Sequence, residues 1–147
     1  MDFAKIFNDS YNRALSGRTS RANEFFDAFY ERFIASDPSI EKKFQGVDMA
    51  SQKAMLKQSI AHLSNLFVMH QVPELLKQIA IKHDQQHVDV EPHLYDLWLE
   101  CLIDTARNFD PQFDDQVELA WRMVCAQGIT LMTHTWRKSG KKTDTRA

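Results

Sequence analysis

The stretch Phe29-Tyr-Glu-Arg-Phe-Ile-Ala-Ser-Asp-Pro-Ser-Ile-Glu-Lys-Lys-Phe44 decides the fold. Its first half completes a run in which Phe25, Phe26, Phe29, Tyr30 and Phe33 recur at three- and four-residue steps, the mark of a helix burying one thick aromatic face. Asp37-Pro38 stops that run, because a residue before proline is pushed out of the helical region, and Pro38 opens a short turn of helix toward Phe44. Upstream, Phe3, Ile6, Phe7, Tyr11 and Ala14 keep the same period as far as Gly17, with Thr19 or Ser20 placed to cap the next helix. Downstream, Gln45-Gly46-Val47-Asp48 is a loop, and Asp48 can cap a long helix from Met49 to about Val68. His70-Gln-Val-Pro73 connects it to a helix ending at His83, with Leu75, Leu76, Ile79 and Ala80 on one side. Pro92 suits the first turn of a helix over Leu94–Asn108, and a polar loop at Asp110–Asp115 precedes a last helix from about Gln116 to Trp136. No alternating strand pattern and no internal repeat is present. The expected fold is all-α, about seven uneven helices around one aromatic core, unlike the longer, uniform elements of a four-helix bundle.

Composition narrows the function. A chain of 147 residues suits one domain, and 44% hydrophobic with 26% charged residues is a globular balance. Four Gly and four Pro are too few for the frequent turns of an all-β fold. Net charge is −2 with no basic stripe in the body, which argues against nucleic acid as a partner. Cys101 and Cys125 stand far apart among apolar neighbours, as buried free thiols do in a reducing compartment. The N-terminus lacks the apolar core of a signal peptide, and no run is long enough to span a bilayer, so a soluble, cytoplasmic protein with no membrane partner is expected. There is no Gly-rich phosphate loop, nucleophile elbow or paired acidic motif. Residues 1–137 form the expected domain, and 138–147 a basic, flexible tail.

His83 lies one turn beyond Ile79, on or beside the apolar face of its helix. A neutral imidazole there either satisfies a core hydrogen bond or holds a metal in an apolar pocket. The segment Phe29–Phe44 resembles the aromatic second helix, proline-started third helix and phenylalanine corner of bacterial globins. Ile79-Ala-Ile-Lys-His83 resembles the globin helix that presents the proximal histidine. The resemblance extends with lower specificity to Trp136, and its nearest forms are single-domain bacterial globins and the haem domain of flavohaemoglobins. It implies a globin-like fold around a haem pocket, haem b as cofactor, and reversible binding of O2 or another diatomic gas. Storage, delivery, sensing and nitric oxide chemistry all start there. No reductase domain is expected, so nitric oxide dioxygenation would need a separate reductase, and the expectation is a binding protein rather than an enzyme. The alternative is a haem-free globin-fold signalling module.

By that resemblance His83 is the proximal ligand of the haem iron, with His87, one helical turn on, as rival. Phe44 packs on the haem, and Val88 and Val90 are apolar haem contacts. Tyr30 is a distal hydrogen-bond donor to a bound gas. On the next helix, Met49, Gln52, Leu56, Ile60, Leu63 and Phe67 form an apolar seam, whereas Asp48, Ser51, Met55, Ser59 and His62 form a polar one expected to face solvent. Gln52 is therefore the expected distal amide and Leu56 the apolar cover, although counting back from His83 by the usual family separation points to Ser51. Tyr95 follows His83 by twelve positions, longer than the flavohaemoglobin pattern. A longer or more open turn at Gln86–Pro92 is expected, and the family's proximal hydrogen-bonding network is left open.

Overall fold

The computed structural model describes residues 1–16 and 21–141. Among them are seven helices and no strand: α1 (Phe3–Leu15), α2 (Arg21–Ala35), α3 (Pro38–Lys43), α4 (Met49–Met69), α5 (Glu74–Lys82), α6 (His93–Phe109) and α7 (Asp115–Lys141). Gly17, Thr19 and Ser20, read as the break and cap before α2, lie outside the described residues.

Aspartates start most of the helices. Asp2 accepts from the Lys5 amide at 3.1 Å, Asp37 from Ser39 at 2.8 Å, Asp48 from Ala50 at 3.1 Å and Asp114 from Val117 at 2.9 Å. Each carboxylate satisfies an amide that has no partner within its own helix. Pro38 occupies the first turn of α3, where its missing N–H costs nothing, and Phe44 caps the end of that helix. His70 ends α4 in the left-handed region at φ 56°.

α7 is the spine, packing against α1, α4, α5 and α6, while α2 lies across α6 and touches α1 and α3. Phe7, Phe25, Phe29 and Trp121 are at most 1% exposed where these helices meet. Phe7 and Trp121 pack edge to face at 4.7 Å, and Phe25 and Phe109 at 5.6 Å. Burying each such ring stabilises the fold by about 1.5–3 kcal/mol, and edge-to-face pairing adds about 0.5–1.5 kcal/mol. A second aromatic group, Phe29, Tyr30, Phe33, Phe44 and Trp98, runs from this core toward the middle of the molecule. There it meets a cavity.

Three differences from the sequence reading matter for that cavity. First, α7 continues past Trp136 through Arg137, Lys138, Ser139 and Gly140, where a flexible tail was expected to begin; residues 142–147 lie outside the described part. Second, α5 ends at Lys82, so His87 sits in the following turn and does not share a helix face with His83. Third, Met55 and Ser59, expected to face solvent, line the cavity. No helix among the described residues is long and apolar enough to cross a membrane.

Candidate functional site

The cavity lies between α2, α4, α5, α6 and α7 and has a volume of about 130 Å³. Its wall is mostly apolar, and among the described residues no carboxylate lines it.

α5 presents His83 at its C-terminal cap, with the imidazole in the cavity wall. Its Nδ1 lies 2.6 Å from the Ile79 carbonyl oxygen. A carbonyl only accepts, so Nδ1 carries the proton, and Nε2 is left with a lone pair. Burial is the main cause that holds the His83 pKa below its ordinary 6.5; the neighbouring Lys82 charge pushes the same way, and the bond to Ile79 opposes them. The ring is therefore a neutral imidazole at pH 7, the form that ligates a metal.

His87 is placed differently. Its Nδ1 meets the Asp84 carboxylate at 2.8 Å, the ring is largely exposed, and it does not line the cavity.

Tyr30 comes from the buried face of α2 and Gln52 from the first turns of α4; both line the cavity, as do Leu56 and Val90. The Tyr30 hydroxyl donates to the Gln52 backbone carbonyl at 3.3 Å. That is long for an O–H···O bond, whose usual length is about 2.7–2.8 Å, so the proton is weakly held and free to turn to a better acceptor. Burial raises the Tyr30 pKa to about 12 against the opposing interaction with the Gln52 side chain, and this keeps the phenol protonated. Ser51 faces outward, its hydroxyl bonded to the Asp48 carboxylate at 2.9 Å.

Phe44 stands behind the wall. Its ring packs edge to face on Tyr30 at 5.7 Å and on Phe33 at 6.0 Å, and both of those line the cavity. Val88 is 50% exposed and lies outside the wall, with its carbonyl taking a bond from Lys43 at 3.1 Å.

Several lining residues were not singled out from the sequence. Ser59 sits in an apolar wall because its hydroxyl bonds back to the Met55 carbonyl at 2.7 Å. Gly128 lets α7 approach α4: a Cβ there would stand 2.0 Å from a Leu63 methyl carbon. A lone glycine inside a helical pattern is a sign of such close approach, and this signal was present in Gln127-Gly128-Ile129. The Cys125 thiol is buried in the wall, and burial pushes its pKa up to about 12. The Tyr95 hydroxyl is buried there with no partner among the described residues, and burial holds its pKa well above the ordinary phenol value.

The helix order, the short α3 corner and the long α7 spine define an all-α globin-like fold. The family model for globins matches residues 27–130, and the chain belongs to the globin family. It is similar to protein PA3967 of Pseudomonas aeruginosa PAO1, whose crystal structure is described as highly homologous in structure to a human hemoglobin. The two are 32% identical, the match covers 92% of this chain and 98% of that one, and the TM-score is 0.83. The chain thus carries a globin domain similar to that of a bacterial protein. No curated protein gives a significant match.

Proposed function

We propose that this globin holds haem b through His83 and reversibly binds O2 or a similar diatomic gas beside Tyr30 and Gln52. The reading is carried by His83: a neutral imidazole in the wall of an apolar cavity, with Nδ1 committed to the Ile79 carbonyl and Nε2 left to ligate. Bound there, haem iron supplies the reversible capture of the gas. The rest is the protein's work. The Ile79 bond fixes the tautomer and orientation of the ligand ring. Leu56, Leu63 and Ile79 exclude water from the cavity. Tyr30, protonated and weakly engaged, is a ready donor to a polarised ligand, and the Gln52 amide is the second donor. The unpartnered Tyr95 hydroxyl is available to a polar group brought in by the cofactor. Turnover of nitric oxide with O2 would need electrons from a separate reductase. The two free cysteines, both buried, fit a cytoplasmic protein.

The test is a visible spectrum of the purified chain with added hemin, followed by substitution. Wild type is expected to show a haem band with one haem per chain. His83→Ala is expected to lose it, and His87→Ala to keep it. A chain that stays colourless and does not take up hemin overturns the proposal in favour of a haem-free module, and a haem that survives His83→Ala but not His87→Ala reassigns the ligand.

A further inference from the structure

We infer that the C-terminal end of α7 is a clamp that positions His83, with Trp136 and Ser139 as positioning residues acting through the turn Asp84–Val90. The inference rests on His83 being the haem ligand. That turn is bonded to the end of α5 and to itself. The Val88 amide donates to the Lys82 carbonyl at 3.0 Å, and the Val90 amide to the carbonyl of His83 at 2.9 Å. The buried Asp84 carboxylate accepts from the Gln86 amide at 2.9 Å and stands 2.8 Å from the His87 ring. Asp89 completes the turn at φ 58°, a left-handed conformation uncommon outside glycine that aspartate adopts more readily than most residues, and here its surroundings hold it in place.

Those surroundings are α7. The Trp136 indole N–H donates to Asp89 Oδ1 at 2.7 Å. The Gln85 amide donates to Ser139 Oγ at 2.9 Å, and the Gln85 side chain to the Trp136 carbonyl at 3.0 Å. The Gln86 side chain adds a bond to the Ser139 carbonyl at 3.3 Å. Ser139 is 4% exposed, and a Cβ on Gly140 would stand 2.1 Å from Gln85 Nε2, so the contact is tight as well as polar. One turn of α7 thus grips both ends of the segment that follows His83, Gln85 near its start and Asp89 near its close. The same helix lines the cavity with Cys125, Gly128, Ile129 and Met132. The turn that follows His83 is therefore held by a helix that also lines the cavity.

Trp136→Phe and Ser139→Ala in the full chain test this, with Arg13→Met as a control that breaks a remote ion pair, 2.7 Å to Asp110. Two measurements are made. Amide hydrogen exchange of residues 84–90 in haem-free protein is expected to quicken about tenfold in both variants, with α2 and α4 unchanged. The iron–histidine stretching band of the reduced, ligand-free haem protein is expected to shift and broaden in both. Arg13→Met is expected to lower the melting temperature and leave both readings as in wild type. Unchanged exchange at 84–90 overturns the clamp. Faster exchange with an unmoved iron–histidine band overturns the positioning role, as does an equal shift in Arg13→Met. A chain that never takes up hemin defeats the proposed function and with it the role toward a haem ligand; exchange at the Val90 amide then still decides whether α7 holds the turn.

Discussion

Tyr30 and Gln52 meet at a bond too long to be strong, and a gas ligand held in the cavity as proposed would compete for the same proton. A neutral hydrogen bond contributes about 0.5–1.5 kcal/mol net, which is about a two- to twelvefold change in a dissociation rate. Tyr30→Phe and Gln52→Leu are each expected to speed O2 release by a factor in that range, read by stopped-flow. Ser51→Ala is expected to leave the rate unchanged, because that hydroxyl is turned out to Asp48; the opposite pattern would move the distal position by one residue. The pH dependence follows from the same burial. Tyr30 loses its proton only near pH 12, so its contribution to the release rate is expected to be flat from pH 6 to 10. His83 behaves the other way round. Burial lowers its pKa, so as pH falls through 6.5 the unfolded chain gains a proton that the folded chain refuses. Its contribution to stability is full above 6.5 and declines on the acid side, down to the folded-state value. His83→Gln is expected to flatten that part of the urea-stability profile of the haem-free protein; an unchanged slope would show that His83 is not buried neutral.

At the scale of elements, α4 crosses α7 where Gly128 faces Leu63. Two effects oppose each other in Gly128→Ala. Alanine is favoured over glycine inside a helix by about 0.8–1.0 kcal/mol. Forcing a methyl against a packed side chain costs about 1–3 kcal/mol. The Leu63 end can swing, and the cavity it lines is the space beside it. The net expectation is a loss of about 1 kcal/mol or more in urea unfolding, together with weaker hemin uptake, and a stabilised variant would show that the crossing has slack. The starts of α3, α4 and α6 were legible within a residue or two because Asp and Pro act locally. The faces of α4 were less so. It touches α1, α5 and α7 and so has no single apolar stripe, and a serine bonded to its own helix counts as polar although it behaves as filler. The end of α7 was lost for a related reason. It is held by Ser139, Trp136 and the Gln85 side chain, polar bonds to a turn that leave no apolar period in Arg137-Lys-Ser-Gly140.

The whole molecule is tied at a place well away from the cavity. Asp110, 2% exposed at the end of α6, takes bonds from Ser10 at 2.6 Å and from Arg13 at 2.7 and 2.9 Å, and Ser10 in turn accepts from the Trp121 indole at 2.9 Å. α1, α6 and α7 are thus joined by one buried network, each of whose members is satisfied, as a polar core requires. Nothing in the sequence marks this link, since its partners are about a hundred positions apart and none breaks the helical pattern. The inward placement of His83 and Tyr30 and the corner at Phe44 were legible, because each rests on the period and breaks of its own few neighbours; their roles toward a haem came only from the resemblance. Asp110→Ala removes the acceptor and leaves Arg13 and Ser10 facing each other. Removing one partner of a fully buried pair costs about 3–5 kcal/mol, an upper bound here because the Arg13 side chain is 27% exposed, against about 5–15 kcal/mol that holds a domain folded. Burial by itself would raise the Asp110 pKa, but the bonds from Arg13, Ser10 and the Gln112 amide outweigh it and bring the value below the ordinary 3.8. Its stabilisation is therefore present above pH 3.8 and is lost as pH falls through the lower, folded-state value. Asp110→Ala is expected to lower the urea midpoint strongly at pH 7, and the gap to wild type is expected to narrow as acid protonates the native carboxylate. Trp98, the last cavity residue on α6, lies about 18 Å along the helix from Asp110 at 1.5 Å per residue. O2 release from the folded variant is accordingly expected to match wild type. A changed release rate would show that the network and the cavity are coupled through α6, rather than joined only by the stability of the fold they share.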